Sequence, residues 1–429
     1  MPDTAATFDD PLLGPWLKGF PPAAEPLKSS ALGARGWHLL SGQLPFPIAV
    51  LKRSALEHNV AWLQDFVRER GLELAPHGKT TMSPQLFQRQ LAAGAWGITF
   101  ANVFQLRLGV VAGVRRAIIA NQVQTEADLA GLARLLHETP GLRVLFLVDS
   151  LEQLAQIEAW RATRATAPVF DVLLEVGVAG GRTGVRLHDD ALALAQRLRG
   201  STAVRLVGIE CYEGLGVTGD TATDDASAAS LMARVSALAT ACDDAGLFED
   251  DEVVISAGGS AIFDLVASRM RLNLRRPVRG VLRSGCYVTH DHGHYRRMLD
   301  QVVQRCGCSE GLRPALEVWT TVQSAPEPGL AFLTGGRRDL SFDMELPRPV
   351  AIARAGSTVV EATDPAWKIT GLNDQHAHLR SNEGSAPAPR VGDRIALGIS
   401  HPCTTFDKWR WMPIVDDDYC IVDAVTIHF

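Results

Sequence analysis

The sequence lacks the features of membrane, secreted and nucleic-acid-binding proteins. No apolar run approaches the roughly 20 residues that a bilayer-spanning helix needs. Residues 1–20 are acidic and contain proline, without the basic and apolar regions of a secretory signal. A net charge of -6 gives no electrostatic reason for nucleic acid or an anionic membrane to bind. We therefore expect a small-molecule ligand.

Cysteine is also scarce, with seven scattered among 429 residues and without the spacing of a disulfide framework. This usage favours reduced thiols in the cytoplasm over a set of disulfides. The composition, 46% hydrophobic and 21% charged, is typical of a globular protein. The length exceeds one ordinary small domain, and a barrel followed by a second domain would account for it.

From about residue 46, short β-rich apolar runs alternate with amphipathic helical stretches. The β-rich runs number eight, at 48–52, 72–75, 97–100, 117–120, 143–148, 171–176, 205–211 and 252–256. Eight such units predict an α/β fold with a TIM-type (β/α)8 barrel whose strands follow chain order. A doubly wound open sheet is the alternative.

After about residue 277 the helical period disappears, and strand candidates separated by glycine and proline follow closely. This texture predicts a second, mostly antiparallel β-domain. The predicted organisation has three parts. They are an extended lead-in at 1–45 that could join the β-domain, a barrel at 46–276, and a C-terminal β-domain with a metal site at 277–429.

Four candidate groups follow predicted barrel strands, at the C-terminal mouth where TIM-barrel active sites are built. Lys79 follows the second predicted strand, Arg182 lies in a glycine-dense loop after the sixth, and Tyr212 follows the seventh. A turn that could hold a phosphate with its amides follows the eighth. The turn consists of Gly258, Gly259 and Ser260. Each group alone could be an ordinary loop residue, but their convergence on one mouth favours a site.

In the predicted β-domain, His401 and Cys403 stand two positions apart, so on an extended run both side chains lie on one face. A nitrogen and a thiolate suit zinc, and two protein ligands leave positions open for substrate. The intervening proline could instead mark a turn. Upstream, His376 and His378 could complete a closed zinc site or act as acid and base. A histidine cluster at 290–295 fits either an exposed loop or a site lining.

Together these residues resemble the fold-type III pyridoxal-phosphate-dependent family of D-serine dehydratases and D-threonine aldolases, a branch related to alanine racemase. The matched segments run from about residue 45 to the C-terminus. The resemblance implies that Lys79, in the P-H-x-K-T-like run 76–80, carries pyridoxal 5'-phosphate as a Schiff base. It further implies that Arg182 faces the pyridine nitrogen and keeps it unprotonated. Tyr212 and the turn at 258–260 would bind the same cofactor.

The metal position separates the branches of this family. A His-x-Asp pair holds an ion such as manganese in the aldolases, whereas a His-x-Cys pair holds zinc in the dehydratases. His401 and Cys403 have the dehydratase form, which implies zinc. The family's E-H-G histidine corresponds to His376, a candidate catalytic residue whose neighbours differ here. The run 336–343 resembles the family's G-x-K-x-x-S-x-D segment, with arginine in place of lysine.

The activity implied by the resemblance is dehydration of a D-3-hydroxy amino acid, such as D-serine to pyruvate and ammonia. Lys79 would be both cofactor anchor and base, and zinc would activate the hydroxyl. The alternatives are retro-aldol cleavage of the D-threonine aldolase type and dehydration or cleavage of 3-hydroxy-D-aspartate. A racemase would need a second base and no metal, and a non-enzymatic cofactor-binding protein would not use the zinc pair. A homodimer is also implied by the family.

Overall fold

The computed structural model describes residues 8–164, 166–381 and 388–429, and within them two large β-sheets organise the chain. The strands are β1 (Leu12–Leu13), β2 (Leu27–Lys28), β3 (Ile48–Lys52), β4 (Glu73–Leu74), β5 (Ile98–Phe100), β6 (Arg116–Gln122), β7 (Arg143–Val148), β8 (Phe170–Val176), β9 (Val204–Cys211), β10 (Val253–Ala257), β11 (Val278–Leu282), β12 (Leu316–Glu327), β13 (Leu330–Leu333), β14 (Arg348–Ala353), β15 (Val360–Ala362), β16 (Lys368–Leu372), β17 (Ala377–Arg380), β18 (Arg394–Gly398), β19 (Trp411–Val415) and β20 (Ile421–Thr426). The helices are α1 (Arg53–Glu69), α2 (Pro84–Ala92), α3 (Val103–Val111), α4 (Glu126–Glu138), α5 (Leu151–Ala162), α6 (His188–Arg199), α7 (Thr221–Asp244), α8 (Phe263–Ala267), α9 (His294–Cys306) and α10 (Cys403–Phe406). Single 3-10 turns occur at Ser29–Ala31, Gly33–Arg35, Gly78–Thr80 and Cys286–Val288.

The first large sheet is parallel and has the strand order β4-β11-β10-β9-β8-β7-β6-β5. Its two end strands meet, because a bridge joins His77 to Thr99 and the amide of Trp96 donates to the carbonyl of Leu74 at 2.8 Å. The sheet therefore curls round into a barrel, and helices connect its strands. The predicted α/β barrel is confirmed, and the doubly wound open sheet is excluded.

Two of the predicted strand assignments are wrong. The run at 48–52 forms β3, which pairs antiparallel with β12 and parallel with β19 in the second sheet. The eighth barrel strand is instead β11, which lies between β10 and β4 and which the sequence placed in the second domain. A short, fully buried apolar run has no period that reveals which sheet it joins. The barrel therefore begins at β4, and the turn at 258–260 follows its seventh strand.

The second sheet is antiparallel along the order β15-β14-β18-β12-β13-β17-β16, with β3, β19 and β20 attached. This confirms the predicted antiparallel β-domain. The lead-in forms its own two-stranded sheet from β1 and β2, and packs beside Trp319 and Trp411 in a separate core cluster. The division at residues 45 and 276 stays a proposal, and the pairings of β3 and β11 favour moving both boundaries to just after those strands.

The barrel interior is apolar at its centre and polar at its mouth. Its central side chains come from successive strands and form one buried cluster, which includes Ile118, Leu173 and Val281. Further along the strands, buried charged residues take over, among them Glu175 and Glu210. Burying charged groups is costly unless they are paired, so this polar layer marks the mouth as the place for a site.

Two findings bear on the expected environment of the chain. No described helix is long and apolar enough to cross a membrane. Cys306 and Cys308 form a disulfide at the end of α9, so the expectation of reduced thiols fails for this pair. Their Cα atoms are 5.4 Å apart, within the range that a disulfide spans. The other five cysteines are free.

Candidate active site

A cavity of about 330 Å³ opens at the C-terminal mouth of the barrel, and the second sheet's loops complete its wall. This volume is at the small end of ligand pockets, which suits a cofactor with a small substrate. Eight of the nine predicted site residues line the cavity, and they are Lys79, Arg182, Tyr212, Gly258, Gly259, Ser260, His401 and Cys403. The structure thus brings together residues that are up to 324 positions apart, since 403 − 79 = 324. Their individual roles remain predictions.

His376 is the predicted residue that the structure does not bring to the cavity. It lies in the turn between β16 and β17, where its carbonyl accepts a hydrogen bond from the Asn373 amide at 2.9 Å. The neighbouring His378 bonds to the Asn373 side chain at 2.7 Å, also outside the cavity lining. The catalytic role of His376 therefore stays a prediction without geometric support from this chain's own cavity.

Lys79 lies in the 3-10 turn Gly78–Thr80, directly after the first barrel strand, with its side chain exposed to the cavity. The glycine before it is required by close packing. A Cβ at Gly78 would lie 2.9 Å from Phe87 and 3.0 Å from Ile98. Any larger residue there would force these side chains or the turn that carries Lys79 to shift.

His77 forms the wall next to Lys79 as a neutral imidazole. Burial lowers the pKa of His77 well below its usual value, and the charges of Lys79 and Arg283 lower it further. Its buried Nδ1 atom has no hydrogen-bond partner among the described residues. A polar group is therefore available to a ligand in this wall.

Arg182 and Tyr212 face each other across the mouth, with the guanidinium 5.1 Å from the centre of the phenol ring. The loop that carries Arg182 is anchored at its far end, where Thr183 donates to Glu175 at 2.6 Å. The Gly184 amide also donates to Asp149 at 2.9 Å. Burial raises the pKa of Tyr212, so its phenol is protonated and can donate a hydrogen bond.

The amides of the turn at 258–260 bind a carboxylate of the same chain, that of Glu213. The amides of Gly258 and Gly259 donate to the two carboxylate oxygens of Glu213, at 3.0 and 2.5 Å. The prediction that these amides await a phosphate is therefore incomplete, because Glu213, placed 45 residues earlier, already satisfies both. Ser260 remains at the cavity wall, where its hydroxyl accepts from the Cys286 amide at 3.2 Å.

Arg283 is a cavity residue that the sequence analysis missed. It directly follows β11, forms a buried ion pair with Glu210, and donates to the carbonyl of Cys211 at 2.9 Å. Burial raises the pKa of Glu210 to about 7, although the charge of Arg283 opposes this shift. The buried Nε of Arg283 has no partner among the described residues. A correct assignment of β11 to the barrel would have identified this arginine at the mouth.

The cavity fits the predicted cofactor in its chemistry. A phosphorylated aldehyde needs one amine and several cationic or hydrogen-bonding groups, and the wall offers Lys79, Arg182 and Arg283. The unpartnered nitrogens of His77 and Arg283 are donor or acceptor sites that a polar ligand would satisfy.

His401 is held by the run 336–343 noted in the sequence. Its Nδ1 lies 2.6 Å from a carboxylate oxygen of Asp343, and its amide donates to Ser341 at 3.3 Å. Thr404 donates to the other oxygen of Asp343 at 2.7 Å. A proton on Nδ1, donated to Asp343, leaves the Nε2 lone pair available, which is the usual support of a metal-binding histidine.

Cys403 begins α10, and its sulfur lies 3.6 Å from the sulfur of Cys286 and 3.4 Å from the hydroxyl of Thr80. A hydrogen bond from Cys286 lowers the pKa of the Cys403 thiol to about 7. Imidazole and thiolate together are a donor set that fits zinc. Among residues 8–164, 166–381 and 388–429, however, no group of three or more His, Cys, Asp or Glu side chains is arranged as a metal site.

The histidine cluster at 290–295 is mainly structural. The Asp291 carboxylate accepts hydrogen bonds from the amides of Gly293, Tyr295 and Arg296 at the start of α9. Burial lowers the pKa of His290 to about 4. From this cluster, Tyr295 is the residue that lines the cavity.

Comparison with known proteins agrees with this geometry. Residues 315–415 match the family model "Putative serine dehydratase domain". The chain is 29% identical over 374 residues to the D-threonine aldolase of an Arthrobacter species, which covers 86% of this chain and 89% of that protein. It is 27% identical over 381 residues to the D-threo-3-hydroxyaspartate dehydratase of a Delftia species, covering 84% and 92%.

A solved structure has the same fold. The D-threonine aldolase from Filomicrobium marinum superposes with a TM-score of 0.74 at 23% identity, over 90% of this chain and 95% of that one. Both domains are therefore shared, since neither alone would give this coverage.

Proposed function

Because the chain belongs to the fold-type III pyridoxal-phosphate-dependent family of D-amino-acid lyases, we propose that it dehydrates a D-3-hydroxy amino acid. With D-serine the products would be pyruvate and ammonia. One observation carries the proposal: His401 and Cys403 line the same cavity as Lys79. One metal ion held by this pair of ligands and the amine of Lys79 can then act on neighbouring carbons of one small substrate.

Lys79 has two proposed duties. Its Nζ would hold pyridoxal 5'-phosphate, which when bound stabilises the electron pair left at the α-carbon. Released by the substrate amine, the same Nζ would accept the α-proton. Arg182 would face the pyridine nitrogen, and Tyr212 and Ser260 would contact the remainder of the cofactor. Arg283, fixed by Glu210 at the cavity wall, is a second guanidinium able to contact the cofactor.

His401 and Cys403 would hold zinc, which supplies Lewis acidity at the β-hydroxyl. The hydrogen bond between Asp343 and His401 supports this role, because it orients the imidazole. The thiolate favours zinc over manganese, since soft ligands select soft metals. The metal pair and Lys79 are thus proposed to act together.

Retro-aldol cleavage is the second candidate, favoured by the 29% identity to a D-threonine aldolase. It would use the same lysine and metal pair but break the bond between Cα and Cβ, giving glycine and an aldehyde. 3-Hydroxy-D-aspartate is an alternative substrate for either reaction. We further propose a homodimer, from the family resemblance, and a cytoplasmic location, which the five free cysteines support.

The test is a product screen with cofactor-loaded protein, with and without added zinc after chelation. D-Serine, D-threonine and D-threo-3-hydroxyaspartate would each be assayed for ammonia, 2-oxo acid, glycine and aldehyde. We expect zinc-dependent ammonia and 2-oxo acid. Glycine and an aldehyde as products would identify the activity as an aldolase instead of a dehydratase. Turnover unaffected by chelation would reject the proposed role of the metal. Cys403→Ser should lose activity, while Cys420→Ser, outside the cavity lining, should keep it.

A further inference from the structure

We infer that Glu213 is a positioning residue for cofactor binding, because its carboxylate fixes the glycine turn 258–260 at the cavity wall. The inference rests on the proposed function, in which Ser260 of this turn contacts the cofactor. Glu213 is not among the described residues that line the cavity. It would therefore act through the turn, without touching the cofactor itself.

The contact of Glu213 with the turn joins the loops of two neighbouring barrel strands. Glu213 lies just after β9, and the turn follows β10. The amides of Gly258 and Gly259 donate to different oxygens of the carboxylate, at 3.0 and 2.5 Å. Two bonds to one carboxylate fix an orientation as well as a distance. The carboxylate therefore determines how both peptide groups face.

The carboxylate is buried and depends on these donors. Glu213 is 7% exposed, and a buried carboxylate without partners would be costly. Burial raises the pKa of Glu213, and hydrogen bonds from the amides of Gly259 and Gly258 oppose that shift. The two amides thus stabilise the ionised carboxylate, and the carboxylate holds the two amides.

The loop after β11 holds the turn from its other side. The hydroxyl of Ser284 donates to the carbonyl of Gly259 at 2.6 Å, and the amide of Cys286 donates to the hydroxyl of Ser260 at 3.2 Å. The turn is therefore attached to both neighbouring loops. Loss of the Glu213 carboxylate would remove one of the two attachments and allow Ser260 to shift.

The phosphate is the part of the cofactor that a shift of this turn would affect most. The amides of Gly258 and Gly259 are already bonded to Glu213. Ser260 remains at the cavity wall, and its hydroxyl still has a proton to donate, because it accepts from Cys286. Phosphate oxygens accept such hydrogen bonds, so we expect Glu213 to act on phosphate affinity.

The experiment compares pyridoxal 5'-phosphate with pyridoxal, which lacks the phosphate. Both are titrated into the full-length protein after removal of its cofactor, in the natural sequence and in Glu213→Gln. Glutamine keeps the size of the side chain but offers two N–H groups one acceptor and one donor. Because a hydrogen bond to a charged group is lost, we expect pyridoxal 5'-phosphate to bind about tenfold more weakly. Pyridoxal should change much less.

The matched control is Glu317→Gln in the second sheet. Glu317 is also a buried carboxylate, and it accepts a hydrogen bond from the indole of Trp319 at 3.0 Å. This variant should lose stability but keep the natural protein's preference for the phosphorylated compound. A merely structural effect of Glu213→Gln would likewise leave that preference unchanged.

The possible failures are distinguishable. An unchanged preference in Glu213→Gln would overturn the inference and leave the proposed function intact. Tighter binding of pyridoxal 5'-phosphate would also overturn it, because the carboxylate would then compete with the phosphate for the turn. No binding of pyridoxal 5'-phosphate to the natural protein would reject both the inference and the proposed function.

A measurement on the natural protein decides the question if Glu213→Gln fails to fold. Hydrogen exchange of the Gly258 and Gly259 amides should be slow both with and without the cofactor, because Glu213 holds them in either case. Protection that appears only with the cofactor would mean that the phosphate binds these amides, and would overturn the inference.

Discussion

Replacing Gly258 by alanine tests whether the turn at the barrel mouth requires glycine. Gly258 has a φ of +106°, outside the regions that residues with a Cβ adopt readily. An added Cβ would lie 2.5 Å from one methyl carbon of Leu282 and 2.9 Å from its Cγ. The substitution therefore combines backbone strain with steric overlap.

General values give the free-energy cost of the backbone strain and of the steric overlap. A residue held in a sparsely populated backbone region costs about 1–3 kcal/mol, and overpacking a well-filled interior costs about 1–3 kcal/mol. We expect Gly258→Ala to lower the unfolding free energy by about 2–6 kcal/mol. The control is Gly246→Ala, whose φ is +66° and whose added Cβ would have nothing within 4 Å. There we expect about 1–2 kcal/mol from backbone strain alone.

The assay is thermal unfolding of both variants at one protein concentration and one scan rate, since a chain of this length can unfold irreversibly. Cofactor affinity should be measured in parallel, because the same turn lines the cavity. Equal destabilisation by Gly258→Ala and Gly246→Ala would refute the steric argument. It would show that Leu282 can move aside at no cost.

Three further predictions follow from particular contacts. The zinc binding proposed above should weaken about 10–100-fold in Asp343→Asn, because a neutral amide replaces the carboxylate that pairs with His401; a chelator competition unchanged from the natural protein would contradict this. The pKa of His290 is about 4 in the folded protein, below the usual value of 6.5 that it has in the unfolded chain. Below about pH 6.5 the unfolded chain therefore binds more protons than the folded protein does. Stability should therefore fall from pH 6.5 to pH 4, by up to roughly 3 kcal/mol, and less steeply in His290→Asn; parallel pH profiles would show that another group is responsible. His376→Ala should reduce kcat far less than Lys79→Ala, because it lies outside the cavity lining, and an equal loss would mean that His376 reaches a site on a partner subunit.

The fold was predictable where local pattern decides it. Seven of the eight predicted barrel strands joined the barrel, because each alternates with a helix along the chain. The exceptions are instructive. The buried run Ile48–Lys52 pairs with β12, more than 260 residues later, and β11 closes the barrel beside β4. Which sheet a buried strand joins depends on distant partners, and no local period encodes them.

The site residues also divide into those that the sequence could predict and those that it could not. Lys79, Arg182 and Tyr212 were predictable because each follows a strand that was correctly assigned to the barrel. Arg283 and Cys286 were missed because they follow β11, which was assigned to the second domain. The contact of Glu213 with the glycine turn could not be anticipated either, since a carboxylate 45 residues away competes with any external anion for the same amides. Long-range contacts of this kind appear only once the chain is folded.

The turn Gly78–Thr80 connects the predicted base, Lys79, to the predicted metal ligand Cys403. Thr80 directly follows Lys79, and its hydroxyl lies 3.4 Å from the sulfur of Cys403 and 3.8 Å from that of Cys286. A displacement of this turn would therefore move the amine relative to both thiols. Dehydration and retro-aldol cleavage each need a base and a metal acting on adjacent parts of one substrate, whereas racemisation needs no metal. The contacts of Thr80 with the two thiols thus tie the turn that carries Lys79 to the wall of the cavity that carries Cys403, so we expect a change in either to be felt by the other.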